Sequence, residues 1–196
     1  KTFLEYCDSV FTEFFSYSPV ECNHSPDHGR LKEYSPFDFS DPKFGDIERK
    51  GRLTMDWIVN SFKPYIDQRY RTLPDRQHTF IAGSSMGGLM SLYALFAYNH
   101  IFSGAAALSP SLWTNPPEIE HMIQTKSIRR DTVLYMDYGS NELSNHSRMI
   151  QEYSRVCGLL LGRKLHLTSR IVPNGNHCEA SWEKQIPFFM NTLLYD

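Results

Sequence analysis

The sequence predicts an α/β fold with a mainly parallel sheet, and three observations support that prediction. In the second half of the chain, short β-prone apolar runs alternate with longer helical patterns, which is typical of parallel βαβ units. A glycine-rich turn, residues 83–88, lies between one of these runs and a long apolar segment. The length of 196 residues suits one domain with a sizeable core, so we predict a single domain over residues 1–196.

The composition is that of a soluble globular protein and argues against several classes of function. Hydrophobic residues make up 41% and charged residues 21% of the chain, which are ordinary values. A formal net charge of -2 gives no electrostatic basis for binding nucleic acid. No apolar run reaches the roughly 18 residues that a membrane span requires. We interpret the cysteines as free thiols of a cytoplasmic protein, since their spacing is unpaired: Cys7, Cys22, Cys157 and Cys178.

The first 76 residues contain helical patterns but almost no strand. Apolar residues recur at helical spacing over residues 2–15 and again over 52–62. Between them, residues 23–46 carry prolines and glycines in close succession, so we predict an irregular loop there. Pro64 is predicted to interrupt or kink the second helix.

The rest of the chain supplies the predicted sheet and its helices. The strands are predicted at residues 77–82, 102–108, 132–136 and 165–172. One helix follows the glycine-rich turn, and the others are predicted at residues 116–125, 142–161 and 179–194. Pro187 lies in the last of these and is predicted to kink it.

The glycine-rich turn has the pattern of a nucleophile elbow. Residues 83–88 read G-S-S-M-G-G and follow a predicted strand, so Ser85 would be held at the tip of a strand–turn–helix unit. We expect that a Cβ on Gly83 or Gly87 would clash in so tight a turn. The backbone N–H of Met86, at the start of the helix, is predicted to stabilise an oxyanion.

An acid and a histidine follow the later strands in the order that a serine hydrolase of this kind uses. Asp137 and Glu142 both come after the strand ending at residue 136, and His177 comes after the last strand. A neutral imidazole removes the proton of a serine hydroxyl, while a carboxylate fixes its tautomer. The sequence pattern does not decide which of the two carboxylates is the acid. Glu142 could instead be a carboxylate in the first turn of a helix, stabilised by the helix dipole.

Six motifs in this order resemble the esterase D-like branch of the α/β-hydrolases, which includes enterochelin-type and feruloyl-type esterases. The resemblance covers about residues 20–190, and its motifs are residues 30–36, 70–76, 83–88, 109–113, 138–142 and 175–177. It implies a three-layer α/β sandwich and points to Glu142 as the acid, with Asp137 as the alternative. It also implies that Trp113 borders the substrate pocket and that Arg30 pairs near Glu33. The predicted substrate-binding residues are therefore Trp113, Arg30 and Ser84.

The amino-terminal strands of that family have no counterpart in this sequence. In the family, the loop after one of them supplies a second oxyanion N–H. Either those strands lie upstream of Lys1 or they have been lost. We expect this sequence by itself to form an amino-terminally truncated version of the fold, with Met86 as its one oxyanion donor. Such a chain by itself is expected to be a poor esterase with an uncovered sheet edge.

The leading hypothesis is a serine esterase that acts on a small-molecule carboxylic ester and needs no metal or organic cofactor. One alternative is a non-catalytic relative that serves as a binding or assembly module, and another is an acyltransferase with the same triad. A metal site is a further alternative, but the spacing of its candidate ligands fits no strong zinc pattern: Cys22, His24, Asp27 and His28. The sequence does not decide between a monomer and a homo-oligomer.

Overall fold

Six strands lie in the part of the protein that its computed structural model describes, residues 29–142 and 146–195. In chain order they are β1 (Phe39–Asp41), β2 (Gly45–Ile47), β3 (Phe80–Ser84), β4 (Gly104–Leu108), β5 (Val133–Gly139) and β6 (His166–Val172). The last four form one parallel sheet in the order β3-β4-β5-β6, whereas β1 and β2 form a separate antiparallel hairpin. The prediction of a parallel α/β sheet is therefore confirmed.

Helices connect the parallel strands and cover both faces of the sheet. They are α1 (Gly29–Tyr34), α2 (Gly51–Trp57), a π-helical turn (Ile58–Phe62), α3 (Lys63–Arg69), a 3₁₀ turn (Arg76–His78), α4 (Met86–Ala97), α5 (Pro116–Thr125), α6 (His146–Leu161), α7 (Glu179–Glu183) and α8 (Ile186–Tyr195). None of the helices within the described residues is both long enough and apolar enough to cross a membrane.

The core lies on both sides of β4, whose five residues are all buried. Successive side chains of a strand point to opposite faces, so Ala105 and Ala107 join the cluster formed with α4, α5 and α6. Ala106 points the other way and packs with Tyr135 and with Leu193 of α8. The small side chains of β4 let helices approach both faces, which gives the three-layer arrangement.

The strands and helices differ from their predicted limits mainly at their ends. The strand predicted at 77–82 begins later, at Phe80, because residues 76–78 form the 3₁₀ turn. β5 runs three residues beyond its predicted end, so Asp137 lies within the strand rather than after it. The predicted helix 142–161 begins at His146. The last helix is broken into α7 and α8 rather than kinked, and Pro187 lies at the second residue of α8.

The predicted loop 23–46 contains regular structure where it is described. α1 and the β1–β2 hairpin occupy most of residues 29–47. Asp41 makes the hairpin turn, because its carboxylate accepts the backbone N–H groups of Lys43 at 2.8 Å and Phe44 at 3.2 Å. Gly45 follows with a φ of 70°, a left-handed conformation that favours glycine. Local side-chain capping outweighs the turn-rich composition here.

Pro64 does not interrupt the helix that precedes it. Helical structure is continuous from Gly51 to Arg69, and the segment just before the proline widens into the π-helical turn. The Lys63 N–H donates to the carbonyl of Ile58, five residues earlier. Proline lacks an N–H and crowds the carbonyl four residues before it, and a widened turn accommodates both effects.

Several predictions concern residues that lie outside the described ones. These are the helix at 2–15, the metal candidates Cys22, His24, Asp27 and His28, and two of the four cysteines. Among the described residues, β3 and β6 are the edges of the four-stranded sheet, and the nucleophile strand β3 pairs only with β4. Ala82 of β3 is accordingly exposed, whereas its registered partner Ala106 is buried.

Candidate active site

The nucleophile elbow is formed by the junction of β3 and α4, with Ser85 between them. Its backbone has a φ of 56° and a ψ of -119°, a strained conformation for a residue with a side chain. A Cβ on Gly83 would lie 2.5 Å from the Gly87 carbonyl oxygen, so the turn does require glycine there. The matching expectation for Gly87 is wrong, because a Cβ built on it lies within 4 Å of no atom of the described residues apart from its chain neighbours and the nearby backbone of its own helix. The second tight position is Gly88, whose Cβ would lie 2.8 Å from the carbonyl oxygen of Leu108.

Three side chains from different loops form one hydrogen-bonded line at this elbow. The Nε2 atom of His177 lies 2.9 Å from the Oγ of Ser85. On the other side of the ring, Nδ1 lies 2.9 Å from the Oε2 of Glu142. An Nδ1–H that donates to the carboxylate leaves Nε2 free to accept the serine proton, which is the arrangement that general-base catalysis requires.

Glu142 is buried, and both of its carboxylate oxygens have partners. Its side chain is 1% exposed, against 21% for that of His177. Oε1 accepts the backbone N–H of Gly139 at 2.7 Å and the hydroxyl of Ser109. Oε2 is therefore the oxygen that faces the imidazole. A buried carboxylate without such partners would be strongly unfavourable, so these donors stabilise Glu142 at this position.

Asp137, the alternative acid, faces a different set of groups. It lies two residues after Tyr135 on β5, so the two side chains share a face of the sheet, and the Tyr135 hydroxyl donates to Asp137 Oδ2 at 2.9 Å. Its other oxygen accepts the backbone N–H of Ser109 at 3.3 Å. Burial raises the pKa of Asp137 to about 6, against the opposing effect of these hydrogen bonds. Within the described residues, no hydrogen bond or ion pair joins Asp137 to His177.

Sequence reasoning gave no individual role to Ser109 or Trp182, and the structure places both beside the acid and the base. Ser109 is buried and has a positive φ of 43°. The Trp182 indole N–H donates to its Oγ at 2.9 Å. The indole ring also packs edge-on against His177, with ring centroids 4.9 Å apart. The signal for Ser109 was its place in the motif at 109–113, whereas nothing in the sequence marked Trp182.

A second serine of that motif lies beside the nucleophile. Ser111 is buried, and its Oγ is 3.4 Å from the Oγ of Ser85. Its backbone N–H donates to the carbonyl of Ser85 at 3.1 Å. Ser111 therefore helps to hold the strained backbone of the elbow.

The remaining predicted site residues make no hydrogen bond to the Ser85–His177–Glu142 line among the described residues. Met86 is the first residue of α4, where a backbone N–H has no acceptor within the helix. Trp113 is partly buried and packs edge-on against Phe39, with centroids 5.6 Å apart. Arg30 is exposed on α1, and in the described part of the chain it forms no ion pair with Glu33. Ser84 ends β3 in register with Leu108.

Known proteins of similar sequence and structure include two curated relatives and many solved folds. The uncharacterized protein YbbA of Bacillus subtilis is 31% identical over 118 residues, which are 58% of this chain and 46% of that protein. The siderophore triacetylfusarinine C esterase of Aspergillus fumigatus is 33% identical over 94 residues, 45% of this chain and 32% of the esterase. Each alignment thus spans less than half of the relative's length.

The fold is shared with solved α/β proteins at low sequence identity. The BES protein from Bacillus cereus superimposes with a TM-score of 0.71 over 91% of this chain and 68% of its own, at 19% identity. A likeness at that identity establishes the fold alone. The family described as "Putative esterase" matches residues 22–187, a span that contains Ser85, Glu142 and His177. With most of its length matched, the chain belongs to this Esterase family.

Proposed function

We propose that the protein is a serine hydrolase that cleaves a small-molecule carboxylic ester through an acyl-serine intermediate. The observation that carries this proposal is the line from Ser85 through His177 to Glu142, with both links at 2.9 Å. Nucleophile, base and acid come from three separate loops, and such convergence is hard to explain by packing alone.

In the acylation step, the Oγ of Ser85 attacks the ester carbonyl carbon while its proton passes to Nε2 of His177. Glu142 accepts the Nδ1–H bond throughout and stabilises the imidazolium. The carbonyl oxygen becomes an oxyanion, and the Met86 N–H at the start of α4 is the donor that this chain offers to it. When the tetrahedral species collapses, the C–O bond to the alcohol breaks, and the departing alkoxide takes the proton from Nε2.

In the deacylation step, water replaces the alcohol beside His177. Nε2 accepts one proton from the water as its oxygen bonds to the acyl carbon. The second tetrahedral species then collapses and releases the carboxylic acid, and Ser85 regains its proton from Nε2. The cycle uses no group beyond the protein side chains, its backbone N–H donors and water.

Membership of the Esterase family supports ester hydrolysis as the reaction. The Aspergillus relative is named as an esterase of a siderophore, so a small organic ester is the substrate class that we propose for this chain. An acyltransferase would use the same acyl-serine, with an alcohol in place of water. Adding an alcohol to the assay and measuring the transfer product separates these two outcomes.

The test is to treat the full-length protein with a fluorophosphonate probe and with p-nitrophenyl esters. We expect the probe to label Ser85, and we expect Ser85→Ala to abolish labelling and to lower turnover by several orders of magnitude. Ser84→Ala removes the neighbouring hydroxyl at the end of β3 and should still be labelled, which separates labelling of Ser85 from labelling of Ser84. Labelling that persists in Ser85→Ala, or that moves to Ser84, would contradict the proposal.

A non-catalytic relative that binds partners is the competing function, and one observation favours it. In the part of the chain that is described, β3 pairs on one edge only, and we assign Met86 as the one oxyanion donor. A full-length protein that is folded but neither labelled nor active would favour this alternative.

A further inference from the structure

We propose that Ser109 and Trp182 are positioning residues, which act through Glu142 to hold the carboxylate and the imidazole in their working orientation. This inference rests on the proposed function, since it assigns the two residues to the ester-cleaving site. It concerns a chain of hydrogen bonds that runs from Trp182 to Ser109 to Glu142 and then to His177.

Ser109 donates to one specific oxygen of the acid, Oε1 of Glu142. Glu142 presents Oε2 to His177, and Oε1 is held by the Gly139 N–H and the Ser109 hydroxyl. At 1% exposure, the Glu142 side chain has little access to water that could replace a lost donor. Loss of the Ser109 hydroxyl would therefore leave Oε1 with a single donor and allow the carboxylate to rotate.

The direction in which the Ser109 hydroxyl points is set by its second partner, Trp182. A hydroxyl has one proton and can either donate to Glu142 or turn elsewhere, whereas an indole N–H can only donate. The Nε1–H of Trp182 donates to the Oγ of Ser109 at 2.9 Å, so Oγ acts as the acceptor in that hydrogen bond. The single proton is then directed to Glu142.

Ser109 and Trp182 are themselves held in place by the segments around them. The Ser109 N–H donates to the backbone carbonyl of Asp137 at 3.0 Å, which ties the positive-φ residue to β5. Trp182 lies on α7, five residues after His177, and its ring packs at 84° against the imidazole. One indole thus contacts the base with its ring and orients the partner of the acid with its N–H.

The consequence for catalysis is control over the imidazole tautomer. A carboxylate oriented toward Nδ1 keeps the proton on Nδ1. The lone pair of Nε2 then points at the Ser85 hydroxyl and can accept its proton. A rotated carboxylate weakens that preference, so fewer molecules would be ready to accept the serine proton. The expected loss is in kcat and in the rate of probe labelling, with little change in KM, since neither residue is assigned to substrate binding.

The experiment compares Ser109→Ala, Trp182→Phe and the double variant. Phe keeps a ring beside His177 but removes the N–H. Since a hydrogen bond to a charged group is worth about 1.5–3 kcal/mol, Ser109→Ala should lower kcat by roughly ten- to a hundred-fold. Trp182→Phe should lower it less, and the double variant should match Ser109→Ala, because Trp182 acts through the hydroxyl. Trp57→Phe, at the end of α2 where the indole stacks on Phe62, is the control indole.

A proton NMR measurement makes the inference independent of turnover. The Nδ1–H that His177 donates to Glu142 gives a strongly deshielded signal, which should shift or broaden in Ser109→Ala at a temperature where that variant is still fully folded. An unchanged signal in that variant, or additive losses in the double variant, would overturn the inference. A wild-type protein that the probe does not label would instead count against the proposed function, and the NMR comparison would still decide the role of Ser109.

Discussion

Gly139 and Gly175 pack so closely that a Cβ on Gly139 would lie 2.3 Å from the carbonyl oxygen of Gly175. Gly139 ends β5 and Gly175 lies in the loop after β6, so this contact joins the segment that carries Glu142 to the loop that carries His177. The Asn141 N–H reinforces it by donating to the Gly175 carbonyl at 2.9 Å. The acid and the base are thereby held by two adjacent strands of one sheet.

This contact predicts that Gly139→Ala is harmful. The added methyl group would meet backbone atoms of Gly175 and lie 2.8 Å from Oε1 of Glu142, and backbone cannot move aside as a flexible side chain can. We expect a loss of about 1–3 kcal/mol in the free energy of unfolding, measured by urea denaturation, and a marked loss of ester turnover.

The matched control is Gly158→Ala on α6. Apart from its chain neighbours and the nearby backbone of α6 itself, no atom of the described residues lies within 4 Å of a Cβ at Gly158, so alanine fits there. Because glycine is a poor helix former, we expect this variant to gain about 0.5–1 kcal/mol and to keep its activity. If Gly139→Ala were as stable as Gly158→Ala, the segments of Gly139 and Gly175 would be able to move apart, and the predicted clash would be wrong.

The two candidate acids predict different results when each is made neutral. Glu142→Gln removes the charge that faces His177 and should reduce kcat by roughly 10³–10⁴, as expected when a triad acid becomes an amide. Asp137→Asn should reduce it far less, because Asp137 contacts Tyr135 and the Ser109 backbone rather than the imidazole. A larger effect at Asp137 would transfer the role of the acid to it.

The backbone strain at Ser85 predicts a difference between two inactive variants. Ser85→Ala and Ser85→Gly both lack the nucleophile, but only glycine relieves the positive φ of 56°. With strain of about 1–3 kcal/mol at such a residue, offset in part by the flexibility of glycine in the unfolded chain, Ser85→Gly should be more stable by roughly 1 kcal/mol. Thermal unfolding of the two variants measures this, and greater stability of the alanine variant would contradict it.

The raised pKa of Asp137 predicts how stability depends on pH. When the pH is below the ordinary pKa of an aspartate, the Asp137 carboxyl is protonated in both the folded and the unfolded protein. Its contribution to stability is then fully present. Between that value and about 6 the unfolded chain ionises first, so stability falls as pH rises; above about 6 the decline levels off.

Asp137→Asn does not titrate and serves as the reference for this measurement. The stability of the wild type relative to Asp137→Asn should fall by about 3 kcal/mol across this interval, since a shift of about two pKa units corresponds to that energy. Urea unfolding at several pH values gives the comparison. If the difference in unfolding free energy between the two proteins stayed constant with pH, the pKa of Asp137 would not be raised by folding.

The chain order of the fold and of the candidate site could be predicted from local patterns. The alternation of strands and helices, the elbow around Ser85 and a histidine after the last strand are all local signals, and local sequence fixes the periodicity of apolar residues. The parallel sheet follows from that alternation. The hairpin at β1–β2 and the unbroken helix through Pro64 could not be predicted, because a side-chain cap and a widened turn override composition.

The contacts of each carboxylate were decided by the tertiary structure. The residues left Asp137 and Glu142 open, and only the family resemblance favoured Glu142. β5 continues to Gly139, so the pleat turns Asp137 toward Tyr135, on the face that α8 covers. Glu142 comes after the strand has ended and can turn back toward His177. Trp182 and Ser109 meet only because chain segments 73 residues apart pack side by side, and no periodicity within the sequence encodes a contact of that range.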